Sequence, residues 1–169
     1  MEEGYPFTGT GNLFKFVQGL ISISVQNNVI VLFNNDTGGQ FNFDRCRQLN
    51  VPANMQILKL PDLEEFRSFP TIGPGRSQLL DINGKAAALE YYLQLDEGAC
   101  ARWTSYNSAL KAYQGALMNR DAYKNAFLAQ QGRVDEYDYR KIEIVLEMPI
   151  LSCVTMKESA AEAELKRQP

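Results

Sequence analysis

Residues able to do chemistry are few and scattered in this chain. Among its 169 residues there is no histidine, the side chain used most often as general acid–base and as transition-metal ligand. Ser-His-Asp triads, Cys-His dyads and histidine-held metal centres are therefore excluded. Cys46, Cys100 and Cys153 lie too far apart for a CxxC pair. They read as three reduced packing thiols in a cytoplasm-like compartment, not as a zinc site or a disulfide framework. Acids fall in three groups, Asp62/Glu64/Glu65, Asp96/Glu97 and Asp135/Glu136/Asp138. Paired carboxylates can move protons or hold Mg²⁺ or Ca²⁺ through oxygen. Charged loop residues more commonly only solvate the loop. The Glu-x-Lys that a restriction-type nuclease would carry on a strand occurs only as Glu164-Leu165-Lys166 near the C-terminus. A carboxylate- or metal-dependent enzyme is thus the weakest reading, with no catalytic residue, metal ligand or cofactor assigned.

Two glycine-containing loops invite a phosphate. Gly9-Thr10-Gly11 opens like a dinucleotide fingerprint but lacks the third glycine and a preceding strand. Gly73-Pro74-Gly75-Arg76-Ser77 could aim backbone N–H groups and Arg76 at an anion, but it reads first as a surface turn.

Aromatic residues offer a different chemistry. Phe41, Phe43, Tyr91 and Tyr92 fall on segments that read as strands, with Arg45 and Arg47 close by in sequence. A sheet face of aromatics edged by cations can stack single-stranded bases, so these six residues are the candidate nucleic-acid contacts. The same phenylalanines are also what a half-buried sheet places in its core. The formal charge of −3 and the lack of a basic run weigh against strong phosphate binding.

The last candidate surface is a helix. Ala99, Trp103, Tyr106, Leu110, Tyr113 and Leu117 recur at spacings of 4, 3, 4, 3 and 4, which gathers them on one side of a 3.6-residue wheel. Opposite them lie small residues, Ala101, Ser105, Ser108, Ala112 and Gly115. A glycine in mid-helix costs about 1 kcal/mol relative to alanine, so close packing there, against a folded-back 121–131 helix or another subunit, would explain it.

These residues need elements to hold them. Residues 13–44 read as a β-meander, with alternation in Leu20–Val25 and turn signals at Asn27-Asn28 and Asn34–Gly39. Met55–Leu60 is a strand, 61–76 is irregular, and Asn83-Gly84 joins 78–82 to 86–95 as a hairpin. Residues 97–131 form one long, kinked helix region, breaking near 119–121 where Asn119 and Asp121 can cap, and ending at Gly132. Arg140–Leu146 alternates as a last strand before Pro149. The sum is an α+β fold of about seven strands, mostly antiparallel or closed into a small open barrel, with the 97–131 helix packed on it. Residues 1–12 form an arm, 13–155 one domain, and 156–169 a charged helix or tail. No signal peptide or membrane span is indicated.

Three functions follow in order of support. The first is a cytoplasmic, non-catalytic assembly module, forming homo-oligomers or bound to a protein partner. The second is a single-stranded nucleic-acid binder. The third is the carboxylate enzyme.

Overall fold

The computed structural model describes residues 10–73, 75–108, 110–130 and 136–166. Among them four α-helices and eight strands form an α+β fold with no closed barrel. The expected fold class holds, but several elements differ from their expected type.

Helix α1 (Thr10–Ser22) replaces the start of the expected meander. Leu13, Phe14, Val17, Leu20 and Ile21 stand at the i, i+1, i+4, i+7 and i+8 positions of an apolar helical stripe. Phe14 and Val17 are buried. Strand β1 (Val29–Phe33) follows, and β2 (Asn35–Asp36) leads directly into α2 (Thr37–Cys46). The Gly38-Gly39 pair, expected as a turn, is the first turn of α2 because Asp36 caps it: Oδ1 accepts from the Gly39 N–H at 2.6 Å. Gly39 has no room for a side chain, since a Cβ would run into the Asn34 carbonyl. Strand β3 (Met55–Lys59), where a strand was expected, pairs parallel with β1, from Val29↔Met55 to Phe33↔Lys59. The α1 and α2 helices pack on each other, and α2 packs on both strands. This half encloses one core of Phe14, Val17, Val31, Phe33, Cys46 and Met55.

The second half is built on a mixed sheet, in the order β5-β4-β7-β8. Its strands are β4 (Phe69–Ile72), β5 (Ser77–Leu80), β7 (Ala101–Asn107) and β8 (Ala112–Leu117). A separate short strand, β6 (Ala86–Ala87), pairs antiparallel with β2 and links the two halves. Asn83-Gly84 is a turn, with Gly84 at φ +69°. It does not make the expected hairpin, because β5 pairs with β4 and β6 with β2. Instead the Ile82 carbonyl collects the N–H groups of Lys85, Ala86 and Ala87 and folds the chain back tightly. Residues 61–76, expected to be irregular, hold a 3-10 turn over Glu64–Ser68 and strand β4.

The expected helix over 97–131 is a correction. Ala101–Asn107 and Ala112–Leu117 pair as the antiparallel β7–β8 hairpin, and among the described residues of this stretch only α3 (Arg120–Leu128) is α-helical. The break expected at 119–121 is where α3 begins, after Asn119 in the left-handed region at φ 55°. Gly132 lies outside the described residues. The long helix lies elsewhere: α4 (Arg140–Leu165) takes the place of the expected last strand and passes through both Pro149 and residue 156. Ile142, Val145, Pro149, Ser152 and Met156, spaced 3, 4, 3 and 4, run along one side of it. All but the half-buried Pro149 are buried. Ile142 and Val145 join the second core with Phe66, Phe69, Tyr91, Tyr92 and Leu117.

Candidate functional site

The expected nucleic-acid residues do not share a sheet face. Phe41, Phe43 and Arg45 ride on α2, with Arg47 just past its end. Two positions along a helix turn the side chain by roughly 200°, so Phe41 and Phe43 diverge. Their arginines are engaged locally: the Arg45 guanidinium lies 3.7 Å from the Phe14 ring centroid and 5.4 Å from Phe41, and Arg47 lies 5.7 Å from Phe43. Tyr91 and Tyr92 sit in a 3-10 turn, Leu89–Tyr92, and both are fully buried. They stack edge-to-face with Phe66 at centroid distances of 6.0 and 5.2 Å. Tyr92 Oη donates to the Pro61 carbonyl at 2.6 Å. Burial raises both phenol pKa values. Neither tyrosine reaches a ligand from this position.

The five small residues lie on the hairpin rather than on a helix. Ala101 and Gly115 face the second core, Ser105 and Ala112 lie further along β7 and β8, and Ser108 is in the connecting turn. Gly115 does mark a close approach, as its cost in a helix suggested, but inside the fold. A Cβ there would sit 2.7 Å from the Ala86 Cβ and 3.2 Å from the Trp103 ring.

The hairpin carries the aromatic face that the expected residues do not supply. Trp103 pairs with Gly115 and Tyr106 with Tyr113, with a register shift between Trp103 and Ser105. Thr104 is therefore the extra residue of a β-bulge, which lets side chains three apart share a face. The result is a chain of edge-to-face rings, Trp103–Tyr113 at 6.4 Å and Tyr113–Tyr106 at 5.0 Å. This end of the sheet overhangs the core. Tyr106 is 53% exposed and Tyr113 45%. Together with Gln78 and Leu80 of β5 they line a cavity of about 440 Å³, edged by Asp81, Lys85 and Lys111. Lys111 stands in the hairpin turn at φ 51°. The signal for this face was present in the sequence, as the same 103–106–113 spacing that suggested a helix.

Most of the acids in these groups already have partners within the chain. Asp62 pairs with Lys59 at 3.1 Å, Glu64 with Arg67 at 3.0 Å, and Glu65 with Lys141 at 3.8 Å. Asp138 takes Arg140 at 2.6 Å, which holds its carboxyl at about 2. Asp96 accepts from Tyr123 Oη at 3.0 Å. Asp135 lies outside the described residues. Among the described residues no three of His, Cys, Asp or Glu gather as metal ligands would. Lys141 is the most perturbed amine, its pKa lowered by burial against Phe66, but the Glu65 carboxylate faces it.

Asn35, expected only within the Asn34–Gly39 turn, carries a dense set of side-chain hydrogen bonds. It is fully buried. Its Oδ1 accepts from Lys59 Nζ at 2.7 Å and from the Gly84 N–H at 2.9 Å. Its amide donates to Asp62 Oδ1 at 2.9 Å. Every strong site on the amide is used, so this is a clamp between loops and not a vacant binding group.

The other surface feature is α4. Between Ile142 and Met156 the only charges are Glu143 and Glu147. Away from the buried stripe it exposes Leu146, Ile150, Leu151 and Val154, with Ile150 at 62% and Leu151 at 64%. Cys153 is exposed on the same stretch, so one of the three thiols expected to pack does not. Comparison of the chain with protein-family models, with curated proteins and with solved structures found no match.

Proposed function

We propose that the chain is a non-catalytic assembly module that self-associates through the outer face of α4. One observation carries this reading: α4 is apolar nearly all round between Ile142 and Met156 while only one side of it is buried. A helix on a protein surface ordinarily turns charged residues outward, and one that is apolar all round has both sides covered. No described helix is long and apolar enough to cross a membrane. Over Arg140–Leu165 five acids face four bases counting the residue after the helix, Lys166, so the basic face of a membrane-surface helix is also missing. The favoured occupant is a second copy, lying antiparallel. Arg140, whose side chain is 86% exposed, opens α4, and near its end Glu158, Glu162 and Glu164 outnumber Lys157, so antiparallel copies bring opposite charges together across an isologous contact.

Light scattering on a size-exclusion column tests this. The expected mass is twice 19.1 kDa, falling to the monomer on dilution. Ile150→Glu alters a solvent-facing position and should give a folded monomer at every concentration. Cys153 should react with a maleimide more slowly in the associated protein than in that variant. A wild-type chain that stays monomeric at high concentration would overturn self-association through α4.

A further inference from the structure

We propose that the cavity beside Trp103, Tyr106 and Tyr113 holds a nucleobase and its adjoining phosphate. It is separate from α4 and does not depend on assembly.

The ring faces supply the first part of the argument. The bulge at Thr104 and the glycine opposite Trp103 place three aromatic rings on one face of the hairpin. Rings held edge-to-face leave π surface uncovered, and Tyr106 and Tyr113 are each about half exposed. A planar group stacks on such rings whatever its edge chemistry. At about 440 Å³ the cavity is of small-molecule size.

Charge decides which planar group. A cation over these rings would be repelled by a rim of net positive charge. Here the rim carries Lys85 and Lys111 against the single carboxylate of Asp81. Asp81 Oδ1 is already accepting from both the N–H and the amide of Asn83. Lys85 Nζ donates to the Asp81 carbonyl at 3.1 Å, which ties its ammonium to this edge. Lys111 has no ion-pair partner among the described residues. The rim is thus net positive by one charge, and a flat ring joined to an anion matches it. Gln78, whose side chain makes no hydrogen bond among the described residues, adds one donor and one acceptor to the wall, suited to a base edge. A peptide carrying an aromatic anchor would use the rings but leave the Lys111 ammonium without a counter-ion.

The chain has a single tryptophan, and it lines the cavity, so its fluorescence reports occupancy in the full-length protein. Adenosine monophosphate and a short oligoadenylate are titrated separately at low and at moderate salt. Saturable quenching that weakens as salt rises is expected for at least one of them. Quenching by the oligonucleotide alone identifies a single strand as the source of the base, and equal quenching by the mononucleotide identifies a free nucleotide. Tyr106→Ala and Lys111→Glu change exposed positions, and each should weaken binding about tenfold or more, with Lys111→Glu also reducing the salt dependence. The proposal is overturned by no quenching from either probe. Binding that both variants leave unchanged would overturn it equally, as would quenching by an aromatic peptide but by neither nucleotide probe.

Discussion

Asp62 is held between opposing influences. Burial raises its proton affinity, while hydrogen bonds from Lys59 and Asn35 and the charges of Lys59 and Arg67 lower it further than burial raises it. The net pKa lies below the ordinary 3.8 of an aspartate. A carboxylate depressed in the folded state binds fewer protons than in the unfolded chain. Its contribution is complete above the unfolded pKa and is lost as pH falls through the folded one. Unfolding by urea should therefore become easier as the pH drops below about 4. The Asp62 side chain is 63% exposed, so solvent screening limits its share to about 1 kcal/mol or less. Asp138, held at about 2 by Arg140, adds to the same acid limb. In Asp62→Asn the acid-dependent loss should be shallower, whereas a pH profile parallel to the parent's would show that the Lys59 contact does not hold the carboxylate.

At the scale of elements, the β7–β8 hairpin depends on the absence of a side chain at Gly115. Alanine is ordinarily preferred to glycine within a strand by about 0.5–1 kcal/mol. At 115 the new Cβ would stand 2.7 Å from Ala86 and 3.2 Å from the Trp103 ring, and overpacking of this kind costs about 1–3 kcal/mol. Gly115→Ala should thus lower the stability measured by denaturant melts. Gly19→Ala in α1, where nothing lies within 4 Å, should raise it by about 0.5–1 kcal/mol. The reversed order of these two would mean that Trp103 moves aside at little cost. The hairpin also explains what the sequence concealed. Trp103 and Tyr106 are three apart because Thr104 bulges, Tyr106 and Tyr113 are cross-strand partners, and Tyr113 and Leu117 are alternate residues of one strand face. A bulged hairpin can therefore carry the 3–4 spacing of a helix. Arg140–Leu146 misleads in the opposite sense: its alternation is real, but the 3–4 repeat that continues through Pro149 to Met156 is what gets buried. The helical stripe of α1 was legible from Leu13 to Ile21 and was masked by the alternation after Leu20. The β3 strand and the Asn83-Gly84 turn were readable because each is fixed locally. The pairing partners were not, because β2–β6 and β4–β7 join distant segments.

The molecule as a whole is two apolar clusters with a polar seam. One cluster gathers α1, β1, α2 and β3; the other gathers the four-stranded sheet, α3, α4 and the aromatic group around Phe66. Between them Asn35 follows β1, ties to the exit of β3 through Lys59 and Asp62, and ties to the turn before β6 through Gly84. Those bonds join residues 24, 27 and 49 positions apart. The seam therefore has a place in time as well as in space. A fully desolvated amide gains nothing until both sides that supply its partners have arrived. The transition state for folding should contain the two clusters without this clamp. In stopped-flow experiments Asn35→Ala should accelerate unfolding about tenfold or more while leaving the refolding rate nearly unchanged. Slower refolding would instead place Asn35 in the nucleus. If the clamp closes last it is also the first part to open, and the lifetime of the native state is then set by a single asparagine rather than by either core.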